Sequence, residues 1–206
     1  MEILWNRTSR TVWNRLAQGG AFQQDWAYGE ACAALGSSVL RAEIRDHGRR
    51  AGVVQLIHRR FLRGLHVAVG TRGPVWQPDV PADLMAAALR ALSKSLPLPV
   101  LRGLFLTPEA CADGSLPASG FQRVMTPYAT VLLDLAKTPE QLRSNLHQKW
   151  RNRLTAAERS GLKILRADAR PHHYLWLLEA EQHQQTRLRY RALPTALVPA
   201  WHAGGG

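Results

Sequence analysis

Long apolar runs and cysteine are both scarce in this chain of 206 residues. No run approaches the roughly 18 apolar residues that a membrane-spanning helix needs, and the first 20 residues lack the apolar core of a signal peptide. The two cysteines, Cys32 and Cys111, stand too far apart for a metal-binding motif and are expected to be free thiols in a reducing compartment. We therefore expect a cytoplasmic protein that binds no metal.

Acidic residues are also scarce, with 15 Asp and Glu against 27 Lys and Arg and a formal net charge of +12. A chain with this balance is attracted to polyanions, which include nucleic acid, acidic membrane surfaces and phosphate-bearing substrates. The hydrophobic fraction of 46% is high enough to build a core, so the composition argues against a disordered chain.

Strand and helix patterns alternate along the chain and indicate an α/β fold with a mixed sheet (α+β). A helix begins at Thr8 or Ser9, and further helices are predicted at 22–36, 81–96, 138–161 and 172–191. A hairpin surrounds the turn "RDHGRR", and further strands are predicted at 64–76, 99–108, 128–135 and 162–167. The pattern restarts near residue 127. We therefore predict two units, 1–127 and 128–206, of which the second is incomplete.

The predicted helix 138–161 has one cation on its apolar side. Its apolar stripe consists of Leu142, Leu146, Trp150, Leu154 and Ala157. On a helical wheel Arg153 falls within this stripe, Lys149 lies at its edge, and Arg151 points away. Arg153 either lays its methylenes on the core and sends its guanidinium to water or a carboxylate, or it joins Lys149 and Arg151 in a phosphate-binding rim. Both interpretations place an anion near this helix.

The segment "LLDLAKTPEQLRSNLHQKWRNRLTAAERSGLKI" resembles the start of the second lobe of the Fem-type aminoacyltransferases, the FemABX-like branch of the GNAT superfamily. The matching positions are Asp134, Lys149, Arg151, Asn152, Ala157, Glu158 and Gly161. The segment "FQQDWAYGEACAALG" is similar to the Gln-Ser-Trp-x-x-Gly helix of that family, and "TRGPVW" is similar to its Arg-Gly-Pro strand end.

The resemblance implies a GNAT-like fold and a transferase that moves an aminoacyl or acyl group onto an amine of a peptidoglycan-type precursor. It implies aminoacyl-tRNA as the donor, with no metal and no tightly bound cofactor. The phosphates of the precursor would be held by Lys149, Arg151 and Arg153. The substrate cleft would involve Gln24, Trp26, Tyr28 and Arg72, although the two aromatic residues also suit a core and Arg72 also suits a strand end.

Partners follow from the same resemblance and from the charge. They are an anionic envelope precursor, tRNA, and the inner membrane surface if the protein lies peripherally on it. One alternative is an acyl-CoA-dependent N-acyltransferase. Such enzymes have an Arg/Gln-x-x-Gly-x-Gly/Ala loop for the pyrophosphate, which the nearest string, "RRAGVV", does not match. Another alternative is a non-catalytic basic module that binds nucleic acid or anionic lipid.

Two features limit what the sequence predicts about catalysis. The chain reaches "LPTALVPAWHAGGG" before the further strands that complete the second lobe of the family, so we expect either a fragment or a short form with an incomplete site. No Ser-His-Asp or Cys-His set is evident, and no general base is assigned. A direct attack of an amine on a bound ester or thioester needs no protein nucleophile.

Overall fold

The computed structural model describes residues 1–61, 64–109, 119–126, 130–131, 133–166, 168 and 170–205. Two compact units are present: Met1–Met125 with Leu175–Gly206, here called the sheet unit, and Thr126–Tyr174, here called the helical unit. The predicted division at residue 127 into two GNAT-like lobes stays a prediction. Cys111 and three residues of the predicted strand 128–135 (128, 129 and 132) lie outside the described residues.

Within the described residues, six strands form one mixed sheet in the order β1-β2-β3-β4-β6, and β5 pairs with β3. The strands are β1 Glu2–Trp5, β2 Ser38–Asp46, β3 Arg49–Arg60, β4 His66–Thr71, β5 Val75–Trp76 and β6 Arg102–Thr107. Strands β4 and β6 are parallel, and all other pairs are antiparallel. The mixed α/β fold predicted from the sequence is therefore confirmed.

The hairpin between β2 and β3 forms where "RDHGRR" predicted it. His47 and Gly48 link the strands with φ angles of 44° and 77°, both in the left-handed region that a two-residue hairpin turn requires. The parallel pair β4–β6 needs a crossover instead of a tight turn, and the predicted helix at 81–96 supplies it.

The helices are α1 Arg10–Leu16, α2 Trp26–Ala34, α3 Ala82–Ser95, α4 Pro139–Asn145, α5 Gln148–Arg159, α6 Pro171–Leu188 and α7 Leu197–Ala203. Ser9 caps α1 and Thr138 caps α4, as predicted. The prediction of one helix over 22–36 was wrong. A 3-10 turn at Phe22–Gln24 is followed by Asp25, which has an extended backbone and separates the turn from α2.

Both faces of the sheet are covered by helices. On one face Leu89 and Leu92 of α3 pack against Ile44 and Leu56 of the sheet. The other face is covered by α1, through the fully buried Trp13, and by α2. The short α7 packs on α2, where its Leu197 joins Ala31 and Cys32 in a third buried cluster. The chain therefore returns to the sheet unit at its end.

The helical unit differs from the predictions in two places. The predicted helix 138–161 is interrupted after Asn145, since Leu146 has an extended backbone with ψ of 141°. Residues 162–166 of the predicted strand 162–167 belong to no strand, and neither do the described residues of 128–135. Neither α4 nor α5 contains a buried residue. An ion pair between Arg143 of α4 and Glu158 of α5 links the two helices.

Among the described residues, no helix is long and apolar enough to cross a membrane. The longest is α6, with 18 residues. Its sequence "PHHYLWLLEAEQHQQTRL" includes two glutamates, an arginine and three histidines, which would be costly to place within the hydrocarbon region of a bilayer.

A pair of histidines links β3 to β4 on the sheet. The Nε2 atom of His58 and the Nδ1 atom of His66 are 2.9 Å apart, and the two rings are stacked. Burial lowers the pKa of His58, and the neighbouring His66 lowers it further. A hydrogen bond between two imidazoles needs one nitrogen without a proton, so the pair cannot keep this bond once both rings are protonated.

We predict that acid weakens the fold through this pair. The unfolded chain binds a proton at His58 more readily than the folded chain, so the contribution to stability is present above about pH 6.5 and is lost as the pH falls below it. Urea unfolding at about pH 8 and about pH 5.5 should show a smaller loss of stability for His58→Gln than for the wild type. His202→Gln, at an exposed histidine of α7, should match the wild type. Equal losses in all three proteins would contradict the prediction.

Candidate functional site

Gln24, predicted as a cleft residue, is fully buried at the end of the 3-10 turn. Its Nε2 atom donates to the carbonyl of Thr71 at 2.7 Å and to that of Gln55 at 3.3 Å, while its Oε1 accepts from the Gln55 amide at 2.8 Å. Its own carbonyl accepts from the indole N–H of Trp13 at 2.8 Å. The side chain therefore connects the start of α2 to β3 and to the end of β4.

Gln55 extends this network toward Trp26. Its Nε2 donates to the carbonyls of Gln23 and Asp25, and its Oε1 accepts from Nε of Arg41 at 2.8 Å. The Arg41 guanidinium carbon lies 3.6 Å from the centroid of the Trp26 ring, a close cation–π contact. Sequence reasoning missed Gln55 and Arg41. The signal for Gln55 was present, because a glutamine interrupts the apolar run "AGVVQLI".

Tyr28 faces a different neighbourhood from Gln24. Its ring packs edge-on against Phe22 at a centroid distance of 5.6 Å, and Phe22 also contacts Trp201 of α7. Burial, followed by the adjacent Cys32, raises the pKa of Tyr28 to about 12. The phenol therefore keeps its proton at neutral pH. Within this environment it can orient a ligand through a hydrogen bond but is a poor proton acceptor.

Arg72 lies where the parallel strands β4 and β6 end side by side. Its backbone is in the left-handed region, with φ of 56°, and its N–H donates to the Thr107 hydroxyl at 3.0 Å. Its guanidinium forms an ion pair with Glu109, and both side chains are partly exposed. Because Gln24 binds the carbonyl of Thr71, the structure brings the predicted residues Gln24 and Arg72 to one strand end. An anionic ligand at Arg72 would compete with Glu109 for the guanidinium.

Lys149 and Arg153, from the predicted phosphate-binding set, stand one turn apart on α5. The guanidinium carbon of Arg153 lies 5.4 Å from the ring centroid of the exposed Trp150. Neither cation forms an ion pair with any residue that the structure describes. Two unneutralised cations thus flank an indole on an exposed helix face.

Arg151, the third member of that set, is engaged within the helical unit. Its Nη1 donates to the carbonyls of Ser144 and Leu146 at 2.9 and 2.7 Å, and its Nη2 donates to Oε1 of Gln148 at 2.6 Å. These carbonyls end α4, where helices leave acceptors without partners. Arg151 therefore fixes the junction between α4 and α5. Together with Pro139, Glu140 and Arg143 it lines an open concavity.

Among the described residues, no three His, Cys, Asp or Glu side chains lie close enough together to hold a metal ion. The adjacent His172 and His173 contact each other edge-on, and His173 approaches Asp168 at 2.7 Å.

Together, the mixed sheet and its accessory helices define a Fem-like fold, as the sequence motifs predicted, and comparison with solved structures confirms it. One solved structure that matches this chain is described as the crystal structure of FemX. The TM-score is 0.71 and the sequence identity is 16%, and the match covers 99% of this chain and 55% of that chain. The chain thus spans just over half the length of FemX. No family model and no curated protein matches it.

We predict that Gln24→Met destabilises the sheet unit by about 2–4 kcal/mol. The substitution keeps the volume but leaves the Gln55 amide and the Thr71 carbonyl without their buried partner. Gln18→Met, at an exposed glutamine that follows α1, should change the free energy of unfolding by less than about 0.5 kcal/mol. Urea unfolding of both variants tests this. A Gln24 variant as stable as the Gln18 variant would show that the network is dispensable.

Proposed function

We propose that the chain belongs to a Fem-type transferase that binds a diphosphate-bearing peptidoglycan precursor and transfers an aminoacyl or acyl group to one of its amines. The Fem-like fold supports the class of protein. The observation on which the phosphate assignment depends is the pair of exposed, unneutralised cations, Lys149 and Arg153, on the helix with the Fem-like Lys-x-Arg-Asn motif.

In this proposal the two cations bind neighbouring phosphates. Side chains at positions i and i+4 lie on the same helix face, and a diphosphate presents two negative centres to it. Arg151 acts as a positioning residue, because its hydrogen bonds to the end of α4 hold α5 at a fixed junction. Arg72, which pairs with Glu109 in the sheet unit, stays a predicted cleft residue.

The reaction in this proposal is an aminolysis. The acceptor nitrogen forms a bond to the carbonyl carbon of the donor, the bond from that carbon to the ester oxygen or thioester sulfur breaks, and the proton lost by the amine ends on the leaving group. Positioning of donor and acceptor supplies much of the rate enhancement in such a step. The donor is an aminoacyl-tRNA or an acyl-CoA used as co-substrate.

The net charge and the strands of the sheet unit bear on the class of donor. A net charge of +12 suits a tRNA donor. The string "RRAGVV", the nearest to an acyl-CoA loop, lies within β3, and its Gly52 and Val53 pair with Trp76 and Val75 of β5. Backbone amides engaged in a sheet are not free to bind a pyrophosphate. This argues against a pyrophosphate-binding loop at this position.

We predict that Lys149→Ala combined with Arg153→Ala weakens binding of a nucleotide-linked peptidoglycan precursor by at least about tenfold, because two charge-assisted contacts are lost. Titration calorimetry at fixed ionic strength gives the affinity, and inorganic pyrophosphate serves as the minimal probe. Both side chains are exposed, so circular dichroism should show an unchanged fold.

The matched control is Arg49→Ala with Arg60→Ala, which removes the same charge from two exposed positions at the ends of β3. The control should lose little affinity. Equal weakening in both double variants would point to a non-catalytic basic module that attracts any polyanion. Unchanged affinity in a folded Lys149 and Arg153 variant would refute the phosphate assignment.

A further inference from the structure

The end of the β2–β3 hairpin places two arginines opposite each other. The register of the two strands shifts between Ile44 and Arg45, and beside this bulge Arg45 pairs with Arg50 across the hairpin. A bulge re-aims side chains, whereas like charges directly opposite each other destabilise a sheet. The pair is therefore unfavourable unless an anion lies close to both guanidinium groups.

The structure supplies one such anion, the buried carboxylate of Glu43. Its Oε1 accepts from Nε of Arg45 at 2.7 Å and from Nε of Arg50 at 2.9 Å, and its Oε2 accepts from the Thr8 hydroxyl at 2.8 Å. Burial raises the pKa of Glu43, but the hydrogen bonds from Arg45, Arg50 and Thr8 lower it by more, so that the pKa lies below its ordinary value. The carboxylate is therefore ionised at neutral pH and holds both guanidinium groups in place.

Each arginine contacts Glu43 through Nε alone. The N–H groups on the Nη atoms of both arginines, which are most of the donors of a guanidinium, make no hydrogen bond to any residue that the structure describes. The side chains of Arg45 and Arg50 are 29% and 42% exposed, so a solute can reach them. One arginine would be enough to neutralise Glu43, and the second leaves one positive charge over.

We propose that Arg45 and Arg50, oriented by Glu43, bind a single phosphate group. Both guanidinium groups approach the same carboxylate oxygen, so they lie within reach of one tetrahedral oxyanion, which presents oxygens to both at once. A planar carboxylate is satisfied by one guanidinium and would leave the other without a partner. The ligand class is therefore orthophosphate or the phosphate of a small phosphomonoester.

An extended polyanion fits this position less well than a compact ion. Glu2 lies opposite Arg45 on β1, is exposed, and forms no ion pair within the described part of the chain. Nucleic acid or an anionic bilayer would bring additional negative charges close to this carboxylate, and a compact ion does not. Every residue of the site lies in the sheet unit, and the inference does not rest on the proposed function.

The test is nuclear magnetic resonance of the ¹⁵N-labelled chain, titrated with inorganic phosphate at constant ionic strength. The Nε–H resonances of Arg45 and Arg50, assigned by their loss in Arg45→Lys and Arg50→Lys, report on the site directly. Both should shift and saturate together with a Kd of about 1 mM or lower, because two charge-assisted contacts form. Absence of a saturable shift would overturn the inference.

Other anions identify the source of the phosphate group. Tighter binding of glycerol phosphate would assign the site to a phosphomonoester, and equal or tighter binding of inorganic phosphate would assign it to the free ion. Acetate should bind at least about tenfold more weakly than either. Acetate that binds as tightly as phosphate, or a short RNA duplex that binds more tightly per phosphate, would refute a site for a single phosphate group.

Arg45→Lys with Arg50→Lys separates the guanidinium groups from their charge. The net charge is unchanged and Glu43 keeps cationic partners, but each lysine has one ammonium group, which Glu43 occupies. We expect phosphate affinity, followed by the backbone amides of β2 and β3, to fall by at least about tenfold. The matched control is Arg60→Lys with Arg123→Lys, at exposed positions elsewhere in the sheet unit, and it should bind like the wild type. Wild-type affinity in the first variant would contradict the assignment.

Glu43→Gln tests the positioning role by the sign of its effect. The substitution removes a negative charge, so a purely electrostatic surface would bind phosphate more tightly. If Glu43 orients the two arginines, affinity falls by at least about threefold instead. Tighter binding by a folded Glu43→Gln variant would overturn the inference. Urea unfolding establishes that the variant is folded, and the lysine variant decides the question if it is not.

Failure of this site and failure of the proposed function give different results. Lys149→Ala with Arg153→Ala should leave the phosphate-induced shifts of Arg45 and Arg50 unchanged. Loss of those shifts with intact binding of the nucleotide-linked precursor rejects this inference alone. Intact shifts in a chain that does not bind the precursor reject the proposed function alone.

Discussion

The buried amide of Gln24 is the contact on which the arrangement of the sheet unit depends. It joins the 3-10 turn to the middle of β3 and to the last carbonyl of β4, three places that are far apart in sequence. Gly73 leaves room for it, since a Cβ there would lie 2.6 Å from the Gln24 side chain. A buried network of this kind is stabilising only when each of its polar groups has a hydrogen-bond partner. Because Gln24 bonds to both β3 and the carbonyl of Thr71, the bonds that orient α2 also fix the strand end where Arg72 lies.

The helical unit is held together by other means. Its stabilising contacts are caps, the Arg143–Glu158 ion pair and the hydrogen bonds of Arg151 to the end of α4, all at or near the surface. Surface pairs contribute little each, so this unit is expected to open at a lower free energy than the core of the sheet unit. Its exposed cations Lys149 and Arg153 have no buried partners, so they can bind an anion from solution.

The sequence predicted those elements whose signals are local. The His47-Gly48 turn, the Ser9 and Thr138 caps and the alternating strands β2 and β3 all have short-range causes. It failed where the cause lies elsewhere. The break at Leu146 is held by Arg151 from the following helix, and residues 162–166 have a strand-like composition but no strand to pair with among the described residues. The hydrogen-bond partners of Gln24 could not be predicted from the sequence either, since they depend on the packing of β3 and β4.

The structure accounts for the position of Arg153 within the apolar stripe predicted from the sequence. On the wheel it interrupts an apolar stripe, which is a conflict only if the stripe is buried. In the structure no residue of the stripe is buried and the guanidinium lies over the Trp150 ring, so charge and apolar surface coexist on one face. The apolar stripe and the cation are therefore compatible, because the exposed guanidinium stays in water while its methylenes and the indole cover each other.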